Sequence, residues 1–358
     1  MKLADIEKIE LEITSDCNAA CPGCLRTQHP EIYSIGGFGL TDFQRMFPEP
    51  WMIEKKLFKF CGVLGDPIKN KDCLPMVEYV VNHGGSIEIS TNAGLCTSDW
   101  WSRLGEISQQ TQRIWINFCI DGHRETNHLY RVNTNFDVIE RNLHAYVEKS
   151  KRASWIFIVF DHNEHELDTA KKHALGLGLQ FAERTGMRNS FQDWVAKIKE
   201  RDKKTREIKV QERTYSTKKH HEKKSQYEEL RDIVETNDKE RVQEVVNSIE
   251  CKLYHQNELF ISYNQLLWPC CFLWDNYVKD SGETQKKLDQ HGSGWNDLKQ
   301  HSIDEILQHP WFEKELAKSW NPEHQKHLKR CIETCAYKRA YQNEFLFYEK
   351  DGTKRKKV

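Results

Sequence analysis

The sequence predicts an α/β protein with a parallel sheet, and two observations carry that expectation. Segments with period-two apolar alternation are interleaved with segments of helical spacing, and each strand-like segment runs out into polar or glycine-containing residues. The strand-like segments are "KIELEIT" (8–14), "LFKFCGVLGDP" (57–67), "SIEISTNAG" (86–94), "RIWINFCIDG" (113–122), "SWIFIVFDHN" (154–163) and "LQFAER" (179–184). Between them, "MVEYVVNHGG" (76–85) has helical spacing and a glycine stop, "FDVIERNLHAYVEKS" (136–150) is amphipathic, and "HELDTAKKHALGLG" (165–178) continues the pattern. Repeated strand–helix units imply parallel strands, in an open sheet or a barrel, with ligands expected at the C-terminal strand ends.

The alternation stops near residue 186. Residues 190–250 are rich in charge and lack proline, so a charged helical insert or linker is expected over 187–250. Beyond Cys251, "ELFISYNQLLWPCCFLW" (258–274) suggests a β-hairpin, a helical stretch follows at 302–318, and "RCIETC" (330–335) brings two further cysteines. The closing "KDGTKRKKV" reads as a mobile basic tail. The expected domains are thus 1–186, 187–250, 251–340 and the tail 341–358.

Composition narrows the function. A chain of 358 residues suits about two domains. No apolar run approaches the ~20 residues of a membrane span, and the N-terminus lacks the apolar core of a signal peptide, so a cytoplasmic protein without membrane contact is expected. Twelve cysteines in a reducing compartment point to metal or redox chemistry rather than disulfides. The net charge of −1 argues against whole-molecule attraction to nucleic acid. Residues 196–224 do hold twelve Lys/Arg against five Asp/Glu, but 225–250 reverse the balance with three against eight, which favours a solvated surface over a nucleic-acid contact. The sixteen histidines show no helical ligand pattern, and none is assigned as a ligand.

"DCNAACPGC" places Cys17, Cys21 and Cys24 within eight residues. A structural zinc site wants four ligands and a disulfide wants a pair, whereas a four-iron cluster held by three thiolates keeps one iron open to a non-protein ligand. A zinc site completed by a remote fourth ligand is the competing reading. The spacing Cys-x3-Cys-x2-Cys after the first strand resembles the radical S-adenosylmethionine (SAM) superfamily. The resemblance implies a partial (β/α)6 TIM-like barrel, a SAM-binding 4Fe-4S cluster, and reductive cleavage of SAM to methionine and a 5′-deoxyadenosyl radical that takes hydrogen from a substrate. A flavodoxin- or ferredoxin-type electron donor is implied with it.

Further motifs follow in the order that the family shows. "GVLGDP" resembles the turn that receives the SAM amino group, here Gly65, Asp66 and Pro67, with aspartate for the usual glutamate. "ISTNAG" is similar to the third-strand motif and implies Thr91 and Asn92 near SAM; "FCIDG" resembles the fourth-strand motif, with Cys119 for serine and Asp121 retained. Arg131 stands where an arginine can pair with the SAM carboxylate, a match for a guanidinium fork, and Asn163 stands at a fifth-strand SAM contact. Gly23 replaces the aromatic residue that commonly precedes the third cysteine, so that contact with adenine is not carried over.

The C-terminal segment resembles the SPASM/Twitch extension of the same family, which implies a small α+β domain. Cys251, Cys270, Cys331 and Cys335 are the implied ligands of one auxiliary 4Fe-4S cluster, with Cys271 an adjacent extra; zinc on the same four thiolates is an open alternative. The expected substrate is a peptide or protein side chain, the alternative a small metabolite such as a sugar or nucleoside derivative, and the third reading a non-catalytic iron–sulfur or zinc protein.

Overall fold

Six strands, β1 (Lys8–Leu11), β2 (Leu57–Phe60), β3 (Ser86–Thr91), β4 (Ile114–Cys119), β5 (Ala153–Val159) and β6 (Gln180–Thr185), pair in parallel and in chain order. They form in the computed structural model where the alternation is clearest. In β3, Ile87, Ile89 and Thr91 are buried while Ser86, Glu88 and Ser90 are half-buried; β4 repeats this with Ile114, Ile116 and Phe118 against Trp115, Asn117 and Cys119. The apolar face packs under the crossover helices. Phe118 lies 5.6 Å from Trp101 of the helix Ser98–Thr111, and Tyr146 of the helix Phe136–Val147 meets both rings. Thr97 caps the first of these helices by accepting from Trp100 N. The opposite face of the sheet is polar: the register sets Glu10 of β1 beside Lys59 of β2, and Lys59 beside Glu88 of β3. The six strands and their helices make the partial barrel that the sequence implies.

The structure describes residues 1–30, 34–185, 239–274, 288, 290–321, 324 and 328–337, together with four further strands at 194–201, 208–215, 345–348 and 354–356. The first two of these, β7 (Trp194–Arg201) and β8 (Ile208–Tyr215), are an antiparallel pair and correct the helix expected over this part of 187–250. Their residue types explain the difference. Trp, Val, Ile, Thr and Tyr favour strands, and the register sets Lys197 opposite Glu212 and Glu200 opposite Lys209. The helix Lys239–Asn247 does form within the expected insert.

The hairpin expected after Cys251 is present as β9 (Glu258–Ile261) and β10 (Leu267–Trp268). It joins the barrel sheet: β9 pairs in parallel with the free edge of β1. At the other edge, β11 (Phe345–Tyr348) pairs antiparallel with β6, and β12 (Lys354–Lys356) pairs with β11. Part of the stretch expected as a mobile tail is therefore sheet, because the open edge of β6 offers unpaired backbone groups to the apolar "FLFY". The resulting order is β10-β9-β1-β2-β3-β4-β5-β6-β11-β12. Among the described residues no helix is long and apolar enough to cross a membrane.

Candidate active site

The site is built at the C-terminal ends of β1 to β5. Past β1 the chain is pinned by a bridge between Thr14 and Gly37 and by Ser15, whose hydroxyl donates to Ser34 O at 2.8 Å. Cys17, Cys21 and Cys24 follow on a loop and are all partly exposed. Ala19 N points at Cys17 Sγ at 3.4 Å, Cys24 N closes a turn on Cys21 O at 3.0 Å around Pro22 and Gly23, and Ala20 N donates to Val132 O at 2.9 Å. That last bond ties the cysteine loop to the segment carrying Arg131. Burial, then Asp66 and Cys21, push the Cys17 thiol up to about 12, so coordination of a metal would release its proton.

The Gly-Asp-Pro turn packs directly on this loop. Asp66 N donates to Asp16 O at 2.9 Å, and a β-carbon at Gly65 would land on the Thr14 carbonyl, so only glycine allows the approach. The Asp66 carboxylate is buried and accepts from Asn92 N at 2.8 Å and Ile68 N at 3.3 Å, capping the short turn that opens at Pro67. Burial raises its pKa against these hydrogen bonds. Asp66 thus holds the end of β3 to the turn. Thr91 Oγ1 accepts from Ala93 N at 3.0 Å, while the Asn92 amide reaches Asn18 Oδ1 at 3.0 Å and lies 3.6 Å from Cys17 Sγ.

On the other side of the loop, Arg131 Nε donates to Asp121 Oδ2 at 2.7 Å and its Nη1 lies 3.9 Å from Cys21 Sγ. Burial works against the Arg131 charge, but the Asp121 carboxylate more than offsets it and holds the pKa well above its ordinary value. Asp121 Oδ1 also accepts from Ile158 N at 2.7 Å. Asn163, fully buried, donates from Nδ2 to the carbonyls of Asp121 and Ile158, both at 2.9 Å, and accepts from Phe160 N at 2.7 Å. Its side chain braces the ends of β4 and β5 together. The motif residues therefore converge, with Asn92 against Cys17 and Arg131 against Cys21, while Asp66, Asp121 and Asn163 support from behind.

The C-terminal cysteines converge as well. Cys251 opens the helix Lys252–Gln256, Cys270 follows β10, and Cys331 and Cys335 lie on the helix Lys329–Cys335. Burial and then Cys270, Cys251 and Cys335 raise the Cys331 thiol, so the four sulfurs feel one another. Among the described residues no three cysteine sulfurs lie within 4.8 Å of one another.

Several functional candidates escape the sequence. Glu10 accepts from Cys61 Sγ at 2.6 Å, and Lys252 Nζ lies 3.4 Å away and also 2.5 Å from Glu258. Cys271, beside the expected ligand Cys270, turns to Glu10 instead. Burial opposes the Glu10 charge, but Lys252 and Lys59 hold its pKa well below the ordinary range. Asn117 donates to Glu88 at 2.9 Å on the same polar face. Glu12, fully buried, accepts from Leu64 N at 2.6 Å and Trp274 Nε1 at 3.2 Å, and thereby supports the turn that carries Gly65. The signal for both glutamates lies in "KIELEIT", where charges recur every second residue on a strand covered on both faces.

No family model and no curated protein matches the sequence. Solved structures do. Native anSMEcpe with bound AdoMet and Kp18Cys peptide has a TM-score of 0.51 and 14% identity, over 92% of this chain and 88% of that one. The same protein with bound AdoMet alone has a TM-score of 0.51 and 13% identity, over 92% and 89%. SuiB of Streptococcus suis bound to S-adenosylmethionine has a TM-score of 0.50 and 11% identity, over 90% of this chain and 67% of that one. At such identities the likeness is one of fold: this chain folds as these AdoMet-bound proteins do.

Proposed function

We propose that the protein is a radical SAM enzyme that abstracts hydrogen from a peptide or protein side chain. The observation that carries this reading is the convergence on the three-cysteine loop. Asn92, just past β3, and Arg131, at the end of the short helix after β4, meet the sulfurs of Cys17 and Cys21, and the Gly65–Asp66–Pro67 turn packs beneath the same loop. Three thiolates suit a four-iron cluster with one open iron. When bound there, that cluster would supply the electron that splits the SAM sulfonium bond, drawn from a flavodoxin- or ferredoxin-type donor. The chain's own residues do the rest. Arg131, fixed through Nε by Asp121 and with Nη1 turned to Cys21, presents Nη2 to a carboxylate such as that of SAM. Asp66 spends its carboxylate on backbone amides, which leaves the amino group of SAM to the turn's backbone. Asp121 and Asn163 act as positioning residues.

Cys251, Cys270, Cys331 and Cys335 would hold an auxiliary 4Fe-4S cluster, a reading supported by the way the four thiols act on one another. Residues 251–340 would then serve as the auxiliary-cluster domain, with β9 joined to the barrel. The substrate reading draws on the half-buried polar residues Lys59, Glu88 and Asn117 across β2 to β4, and on the similar anSMEcpe, solved with a bound peptide. A polar small metabolite would meet the same face.

The test supplies reconstituted protein with SAM, dithionite and deuterated candidate substrates, and follows 5′-deoxyadenosine by mass spectrometry. Deuterium in deoxyadenosine with peptides is the expected result. Label arriving only from sugars or nucleosides would overturn the peptide reading. Formation of neither methionine nor deoxyadenosine would overturn radical SAM activity itself.

A further inference from the structure

A second group of metal-ligating side chains lies outside the site described above, on the helices that cover β4 and β5. Glu140 and His144 stand four residues apart on the helix Phe136–Val147 and so share one face. His173, on the helix Leu167–Gly176, faces them, and one ligand atom from each of the three lies within 4.8 Å of the other two. Ligand atoms around a zinc-sized ion stand roughly 3.3 Å apart. The remaining gap is small, and His144 is exposed and free to close it.

The surroundings of His173 are those of an oriented ligand. Its Nδ1 lies 3.5 Å from His123 Nε2, with the two rings stacked 6° from parallel. His123 Nδ1 in turn lies 3.7 Å from Glu166 Oε2, and the same carboxylate oxygen accepts from His123 N at 2.9 Å. With Nδ1 turned to His123, the His173 Nε2 is the nitrogen that can face an ion, and a carboxylate lies behind His123 as one often does behind metal-bound histidines. Burial, and then His123, lower the His173 pKa, in keeping with a neutral imidazole. One charge competes: Arg124 Nη2 lies 3.7 Å from Glu140, but its side chain is largely exposed and such pairs are weak.

We infer that Glu140, His144 and His173 bind a divalent transition ion of the zinc type, clamping the helix after β4 to the helix after β5. Two imidazoles and a carboxylate suit zinc, cobalt or nickel over magnesium or calcium, and three protein ligands leave a position for water. The inference is independent of the proposed radical chemistry.

The test uses protein loaded with its iron–sulfur clusters, so that cysteines do not compete, and titrates Zn2+ by calorimetry. The expected result is one zinc per chain. In His144→Ala and His173→Gln the affinity should fall at least tenfold, with iron content unchanged. His144 is exposed, so its variant folds. Zinc should also raise the unfolding temperature of the wild type and leave that of His144→Ala unmoved. Equal binding by wild type and both variants, or no zinc bound by the wild type, would overturn the inference.

Discussion

Glu12 ties stability to pH in a way whose size follows from its surroundings. Burial raises its pKa from 4.5 to about 7, despite the hydrogen bonds from Leu64 N and Trp274 Nε1. A carboxyl raised in the folded protein keeps a proton that the unfolded chain has already released. Its stabilising contribution is therefore full below pH 4.5, declines as the pH rises, and levels off above 7. The interval from 4.5 to 7, at ~1.36 kcal/mol per pH unit, corresponds to about 3 kcal/mol, of which about 2.5 kcal/mol falls between pH 5 and 8. Glu10 does not contribute in this window, because a lowered carboxyl loses its contribution only as the pH falls below its unfolded value. His173 and His309 are lowered by burial and act in the opposite sense, so the useful quantity is a difference between two proteins. Urea unfolding of wild type and Glu12→Gln at pH 5, 6, 7 and 8 provides it. The wild type should lose about 2.5 kcal/mol relative to the variant across that range. Parallel stability profiles would refute the reasoning.

Three further perturbations have defined outcomes. Arg131→Ala leaves Asp121 buried without its cation and should cost about 3–5 kcal/mol in chemical unfolding, with SAM affinity lost as well. Gly65→Ala drives a β-carbon into the Thr14 carbonyl, and iron analysis after reconstitution should find the N-terminal cluster depleted while the C-terminal one is kept. The double variant Cys331→Ala, Cys335→Ala should lower iron from about eight to about four per chain, while methionine formation from SAM continues; an unchanged iron count would refute the C-terminal ligand set.

Much of the barrel was legible because its strands carry their own pattern. Ile87, Ile89 and Thr91, or Ile114, Ile116 and Phe118, sort to one face whatever the rest of the chain does. The cysteines and the polar strand ends were legible as a set because order and spacing survive in one dimension. Pairings between distant residues were not. Nothing in the sequence says that Arg131 spends its Nε on Asp121, or that Asn163 is consumed in bracing β4 to β5. Glu10 and Glu12 look like the wet side of a half-buried strand, and only the arrival of Lys252, Cys271 and Trp274 from the far end of the chain makes them dry. His173 offers no helical ligand pattern because its partners sit on another helix. The strands Trp194–Arg201 and Ile208–Tyr215 are not legible because local charge density outweighs their β-branched residues, and pairing is a tertiary matter.

The way the sheet is finished sets an order of events during synthesis. Both flanks of the six parallel strands are covered by β9 and β11, which leave the ribosome long after Cys17, Cys21 and Cys24. Until then the half-made barrel presents two bare edges to its neighbours, a state prone to mispairing. The cysteine loop, by contrast, emerges first, so its three thiols are exposed to solvent and oxidants while both edges still wait for their partners.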